Sequence, residues 1–324
     1  MSSNSSQAIG LSSACLAILV SILWGGNVVS IRVGVDSVPP LWSAFWRMFV
    51  GVVFVSLWAL RQRVSLRPAP GELRPLLVLG AMFTLQIALL NSASPLTSPA
   101  YGVVILNGFA IFTNIAGHIA AHYSNGAIAE EPITPVRALG LALAVAGIAW
   151  LAVGRPDAAL APRPLLGNLL MVSSAAILGI RQVYTRWLVQ TVDPVRSVLW
   201  QMLVSVPLFL AIACVTEPMV LGRLTWQAVA AISYQGAVVA GFCFIVWTNL
   251  LRKHSAGTLS MFSFLVPICG IALSAKIFGE AVQPSLLAAT ALVLSGVFVV
   301  VRLGQTTAAA DVPLPAVPDP APRR

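Results

Sequence analysis

Apolar residues dominate this chain in long windows, broken only by short polar or Pro/Gly-containing stretches, from about residue 11 to residue 302. A helix needs roughly 20 residues to cross about 30 Å of hydrocarbon. Windows of that length fall at 11–33, 41–60, 74–94, 98–121, 133–153, 165–188, 195–215, 226–250, 255–279 and 283–302. The pattern predicts an all-α integral membrane protein with ten transmembrane helices. The Ser-rich start (1–10) and the Ala/Pro-rich end (304–324) carry no such window and are expected to be disordered.

The ten windows are two sets of five. Sliding the chain 154 positions along itself superposes residues 16–52 on 170–206, with twelve of 37 pairs identical. They include Gly25/Gly179, Arg32/Arg186, Pro40/Pro194, Ser43/Ser197, Trp46/Trp200 and Met48/Met202. Identity at Val or Leu means little in an apolar chain, but Arg, Pro, Ser and Trp in one frame point to duplication. Five helices per copy is an odd number, so the second copy (165–303) enters the bilayer from the side opposite to the first (11–153). The expected fold is two inverted five-helix repeats, an arrangement that carriers use for alternating access.

Composition agrees. Of 324 residues, 58% are hydrophobic and 9% charged, and mean hydropathy is +0.90, outside the soluble range. With a cytoplasmic N-terminus, 13 of the 19 basic residues fall in inner loops and the tail and six outside, which obeys the positive-inside rule and places both termini in the cytoplasm of a cell (inner) membrane. The net charge of +9 is scattered over short loops, so topology and lipid contact explain it and no nucleic-acid partner is expected. The first window is too long for a signal-peptide core and has no basic residue before it, so it reads as a retained span. Cys15, Cys214, Cys243 and Cys269 lie inside spans without CxxC or Cys/His spacing and read as small core residues.

The register between the halves changes beyond the second helix. Ser98 matches Ser255 at an offset of 157, whereas Pro135, Leu143 and Gly147 match Pro284, Leu292 and Gly296 at 149. The difference, 157 minus 149, leaves eight extra residues in the first half, within AHYSNGAIAEEP (121–132) on the cytoplasmic side. His118 and His122 have helical i, i+4 spacing there, but without a third ligand beyond Glu130 or Glu131 they read as a polar helix end and not as a metal site. No cofactor is expected.

Three stretches carry a family resemblance: LWGGNVVSIRVGV (23–35), PPLWSAFWRM (39–48) and HSAGTLSMFSFLVPICGIALSAKIFGE (254–280). The first is similar to the Leu-Trp-Gly opening, the second to the second-helix Arg, and the third to the ninth-helix Ser-Ala start, mid-helix Pro and terminal Gly-Glu of the EamA-type transporters of the drug/metabolite transporter superfamily. The resemblance spans about residues 11–303. It implies a ten-helix carrier with cytoplasmic termini, a central substrate cavity and export or exchange of small metabolites. Two departures stand out: Ala110 replaces the Pro opposite Pro267, and Glu130-Glu131 replaces the Gly-Glu of the first half. A fourth helix without that Pro is expected to be straighter, with altered gating at that end.

Polar groups at bilayer depth are costly unless they face a cavity or a partner, so they are the default site candidates. The repeat makes Asn27 equivalent to Arg181 and Arg47 equivalent to Gln201. Arg181, roughly 6 Å from the centre of its span at 1.5 Å per residue, has no Asp or Glu at its depth and is either a partner for a substrate carboxylate or phosphate or a snorkelling side chain. Asn27, Gln86, Asn107, Tyr184, Ser260, Ser263 and Trp247 complete the substrate-binding candidates. Arg47 is read as a structural residue capping backbone carbonyls. Pro267 frees the Ser263 carbonyl mid-membrane as an acceptor and a hinge, and Lys276 with Glu280 forms an i, i+4 pair serving as a local ion pair or an outer gate.

These features favour a carrier of a small zwitterionic or anionic metabolite, such as an amino acid or a derivative. The alternative is a multispecific exporter of lipophilic cations, which the basic interior disfavours. No HExxH, GxSxG or acidic pair lies in the spans, so an enzyme is not expected. The absence of a mid-span carboxylate argues for an exchanger or facilitator over proton coupling. Small residues on several helix faces permit a homodimer.

Overall fold

Proline opens six of the helices. It sits at the first position of α2 (Pro40–Arg61), α4 (Pro99–Asn107), α6 (Pro135–Val153), α7 (Pro164–Leu188), α8 (Pro194–Thr216) and α12 (Pro284–Phe298). Its fixed φ suits a first turn and its missing N–H would have no partner there. Ser98, Thr134 and Asp193 cap three of these helices by accepting from backbone amides two or three residues on. The computed structural model describes residues 10–123, 134–156, 158–218, 224–254, 259 and 262–300. Its remaining elements are α1 (Leu11–Val35), α3 (Leu73–Ala93), α5 (Phe109–Tyr123), α9 (Trp226–Ser233), a π-helical stretch (Tyr234–Cys243), α10 (Phe244–Lys253), a 3-10 turn (Phe262–Phe264) and α11 (Leu265–Phe278). Among the described residues every regular element is helical.

Eight spans are long and apolar enough to cross a membrane, and α11 with its leading turn and α12 are shorter apolar segments. Ten spans result, with α4 and α5 forming the fourth and α9 to α10 the eighth. Large apolar side chains stay exposed around the bundle, such as Leu57 at 62%, Leu60 at 64% and Val215 at 86%. Only hydrocarbon satisfies such a surface while the helices satisfy their own backbone. This is a multi-pass membrane protein.

The packing shows the inverted repeat directly. Helix α1 packs on α11 as α7 packs on α5, and α3 packs on α7 as the π stretch and α9 pack on α1. Glycines make the match residue by residue. A Cβ on Gly25 would meet the Cys269 Cβ, the Val266 carbonyl and the Gly270 amide, and one on Gly179 would meet the Phe112 Cβ, the Phe109 carbonyl and the Thr113 amide. Adding 157 to 112, 109 and 113 gives 269, 266 and 270, the offset that Ser98 and Ser255 carry. Likewise Gly80 lies against Val204 and Gly236 against Val50, which are 154 apart. The third and eighth spans therefore correspond at 236 minus 80, or 156.

Two expectations are corrected. The fourth span is not straight: it breaks between α4 and α5 at Gly108, where Gly108 N–H donates to the Ile105 carbonyl and Ile111 N–H to the Gly108 carbonyl, each at 3.0 Å. These are i to i−3 bonds, and glycine is a poor helix former whose weakness here replaces the lost proline. The break matches the 3-10 turn of the ninth span, since 107 plus 157 is 264. Pro267, in turn, lies in the first turn of α11 just after that turn. There its missing N–H breaks no interior helix bond, so it starts a helix and does not kink one.

Polar ties close both ends of the bundle. At the end opposite the termini, Glu217 accepts from the Leu41 and Trp42 amides at 2.9 and 3.2 Å. It caps α2, whose own cap position holds Pro39. Asn168 Nδ2 donates to the Leu151 and Ala152 carbonyls at the end of α6 at 2.9 and 3.3 Å, and Arg32 Nη1 donates to the Ser94 and Leu160 carbonyls at 3.1 and 3.2 Å. At the terminal end, Arg196 Nη1 meets Glu72 Oε2 at 2.7 Å, and Trp200 Nε1 donates to the Leu66 carbonyl at 2.9 Å. The tails (1–9 and 301–324), residues 124–133, which take in most of the stretch holding the insertion, and Ser260 lie outside the described residues.

Candidate functional site

Between the two halves lies a cavity whose space for the centres of water molecules is about 90 Å³, several times the roughly 10–15 Å³ that one water needs. Its polar lining includes Asn27 on α1, Arg47 on α2, Gln86 on α3, Asn107 on α4, Arg181 on α7 and Gln201 on α8. Trp24, Phe109, Phe244 and Trp247 supply aromatic surface. Among the described residues no Asp or Glu lines it.

The two arginines sit in different environments. Arg181, 5% exposed, donates from Nη1 to Gln201 Oε1 at 3.0 Å. Its guanidinium carbon lies 4.9 Å from the Phe83 ring centroid and 5.7 Å from that of Phe244, within cation–π range. Arg47, 1% exposed, has neither kind of support: Nε and Nη1 are buried without a hydrogen-bond partner. Arg181 Nε, Asn27 Oδ1, Gln86 Oε1, both side-chain polar atoms of Asn107 and the Nε1 atoms of Trp24 and Trp247 are likewise buried and unpartnered. Leaving a buried polar group unpaired costs about 1–3 kcal/mol, and more for a charged one. Donors and acceptors of this density around an internal space suit a polar ligand.

The π-helical stretch holds one wall. Val239 from it faces the cavity, and a Cβ on Gly236 would lie 2.7 Å from the Arg47 carbonyl. A wider helical turn brings this backbone against that of α2, in a geometry frequent at functional sites. Trp24 and Trp247 pack at 4.8 Å between ring centroids, with Phe244 6.1 Å from Trp24.

The model of the EamA-like transporter family matches residues 11–153 and again 165–302. The chain belongs to the EamA-like transporter family. It is 25% identical to the "Probable amino-acid metabolite efflux pump" of Salmonella typhimurium over 88% of its length and 93% of that protein. It is 22% identical to the "Uncharacterized transporter YoaV" of Bacillus subtilis over 87% of its length and 94% of that protein. A solved crystal structure superposes with a TM-score of 0.66 at 20% identity, covering 90% of this chain and 99% of the other, which establishes the fold.

In this EamA-like transporter the cavity gathers Asn27, Gln86, Asn107, Arg181 and Trp247 from the sequence candidates, together with Arg47. Arg47 does not cap backbone carbonyls, because its Nε and Nη1 atoms have no acceptor in reach; that expectation is corrected. Tyr184 lies outside the cavity lining, donating to the Pro75 carbonyl at 3.1 Å and packing on Trp187. At about 100° per residue, Leu178, Thr185 and Gln182 turn to one side of Arg181 and Tyr184 to the other. Ser263 is buried but absent from the lining.

Lys276 and Glu280 form no ion pair among the described residues. Gly279 adopts a left-handed φ of 65° and ends α11, so Glu280 leaves the helical frame that i, i+4 pairing needs. It is buried, and its Oε2 accepts from the Ser274 hydroxyl at 2.5 Å and the Ala100 amide at 3.3 Å. It therefore ties the end of α11 to the first turn of α4. Sequence reasoning missed Gln182, Thr185, Ser197, Gln201, Phe244 and Thr248 as lining residues. The available signal was helical spacing from the chosen candidates, 181 to 185 and 247 back to 244, and for Gln201 its equivalence to Arg47, with Ser197 one turn before it.

Proposed function

We propose that this transporter is a secondary carrier for a small metabolite bearing a carboxylate or a comparable anionic group, zwitterionic or anionic, moved by alternating access of its two halves. The observation that carries the reading is Arg47: a guanidinium 1% exposed, facing the cavity, with two unpartnered donor nitrogens. A buried cation without an anion costs several kcal/mol, and among the described residues no acid lines the cavity to supply one. A bound carboxylate supplies it. The aromatic wall of Trp24, Phe244 and Trp247 accommodates an apolar substituent. The names of the Salmonella typhimurium and Escherichia coli relatives, probable amino-acid metabolite efflux pumps, agree with this class. The 13 to 6 basic asymmetry supports both termini on the cytoplasmic side of an inner membrane, and the efflux names of the relatives support export or exchange. A lipophilic-cation exporter would place a positive charge beside two arginines with no counter-ion.

Thermal unfolding of the purified, detergent-solubilised protein tests the reading, because a ligand of the native state raises apparent stability. The panel holds amino acids, organic acids, phosphate esters and lipophilic cations, each carboxylate matched by its methyl ester and its decarboxylated amine. Stabilisation by at least one free acid, lost in its ester, supports the proposal. Stabilisation by cations alone overturns it.

A further inference from the structure

Each half of the bundle gives the cavity one arginine and one amide, but on exchanged helices. In the first half the amide is on the first helix (Asn27) and the arginine on the second (Arg47); in the second half the arginine comes first (Arg181) and the amide second (Gln201). The offset of 154 makes the two pairs equivalent, and the glycine contacts show that the helices carrying them are packed equivalently. Asn27 and Arg47 lie toward the end opposite the termini, Arg181 and Gln201 toward the terminal end. Their states differ. The Arg181–Gln201 pair is joined at 3.0 Å through Nη1, with Arg181 Nε left unpartnered, while no bond joins Asn27 to Arg47, and Asn27 Oδ1 and Arg47 Nε and Nη1 are buried and unpartnered.

We infer that the two pairs are alternative seats for one anionic group, each opened when its arginine releases its amide and closed when the two bond. The inference rests on the carrier reading and adds to it the second seat and the switch. In an inverted-repeat protein the opposite-facing state is reached when the halves exchange conformations. The exchange of this structure has Asn27 bonded to Arg47 and Arg181 freed from Gln201. A carboxylate held by Arg47 in one state is then displaced by Asn27 and taken up by Arg181 in the other. With substrate bound, each arginine keeps a hydrogen-bond partner through the transition, either its amide or the substrate. Phe83 and Phe244 hold the Arg181 guanidinium in place while its seat is closed.

The test uses a cysteine reporter and needs no identified substrate, so its failure is distinct from that of the ligand panel. In full-length protein with the four native cysteines replaced, Thr185→Cys reports the cavity near Arg181. Gln201→Glu tightens the closed pair, Asn27→Asp draws Arg47 closed, and Gln201→Met removes the acceptor without changing side-chain length. In monodisperse preparations, Gln201→Glu and Asn27→Asp are expected to change the labelling rate by a small thiol reagent in opposite directions, each by about fivefold. Gln201→Met should move with Asn27→Asp. A second arm places the cysteine at Asn27 and compares a sulfonate thiosulfonate with its trimethylammonium analogue, each normalised to a free thiol. The anion is expected to react roughly tenfold faster beside Arg47, with the preference lost in Arg47→Gln. Shifts in the same direction, no shift, or equal rates for the two reagents overturn the inference.

Discussion

Arg181 Nη1 donates to Gln201 Oε1 at 3.0 Å, and the positions equivalent to these two hold Asn27 and Arg47, which do not bond. A duplicated pair thus exists in two states within one molecule. The repeat places the same chemistry, one guanidinium and one amide, at matched positions, and the tertiary structure joins only one copy by a hydrogen bond, with Arg181 Nε still unpartnered. Arg47 is therefore the cation most in need of an external partner.

Replacing Arg47 by Gln should remove a charge-assisted bond and weaken binding of a stabilising carboxylate by about 1.5–3 kcal/mol. Arg47→Lys should recover part of it, because lysine keeps the charge but loses the planar fork. Titration calorimetry or ligand-dependent unfolding of the two variants measures the effect. Unchanged affinity in a folded Arg47→Gln protein removes Arg47 from the site.

The close approach of helices at the two equivalent glycines is a matched pair of packing tests. A Cβ on Gly25 would stand 2.5 Å from the Cys269 Cβ, and one on Gly179 2.6 Å from the Phe112 Cβ. Overpacking of this kind costs about 1–3 kcal/mol. Gly25→Ala and Gly179→Ala should each lower the unfolding temperature, by similar amounts, whereas Gly10→Ala, with nothing within 4 Å, should not.

Glu280 joins α11 to the first turn of α4 through the Ser274 hydroxyl and the Ala100 amide. A negative charge at a helix N-terminus is favourable. Glu280→Ala leaves that amide and hydroxyl unmatched and is expected to destabilise the protein by about 1–3 kcal/mol. Lys276→Ala, which breaks no ion pair with Glu280, should change stability by less than about 0.5 kcal/mol. Equal losses in the two variants would restore the ion-pair reading.

At the terminal end, burial alone would raise the Glu72 pKa, but hydrogen bonds from the Ala69 amide and Arg196, with the Arg196 charge, bring it below its ordinary 4.5. A carboxylate whose folded pKa is depressed adds stability above its unfolded pKa. That stability is lost as pH falls from about 4.5 through the folded value. Arg196→Ala should cost roughly 0.2–1 kcal/mol at neutral pH. It should also flatten the stability profile below pH 4.5, which unfolding measured across pH 3 to 7 would show.

Much of the fold was legible because bilayer physics is written locally. Windows of apolar residues, prolines at helix starts and the offset of 154 needed no tertiary information, and the offset of 157 from Ser98 and Ser255 already matched Cys269 to Phe112. The site was legible only in part. Asn27, Gln86, Asn107, Arg181 and Trp247 could be chosen as polar or amphipathic groups at depth, and the cavity collects them. Tyr184 met the same criterion, yet its hydroxyl reaches the Pro75 carbonyl, because depth along a helix says nothing about which neighbour its face meets.

The sequence by itself determined that the chain spans a membrane ten times and that its second half repeats the first upside down, since hydrophobic length and residue identity are properties of segments. It also determined that the cavity would contain cations without acids at their depth, because no Asp or Glu occurs in mid-span. The tertiary structure decided which of those cations gains a hydrogen-bond partner. Gln201, Phe83 and Phe244 stand beside Arg181 and no acceptor stands beside Arg47. Hydrogen bonds and cation–π contacts depend on how helices distant in sequence rotate and approach, and the glycines at 25, 80, 179 and 236 set that approach to within a few tenths of an ångström.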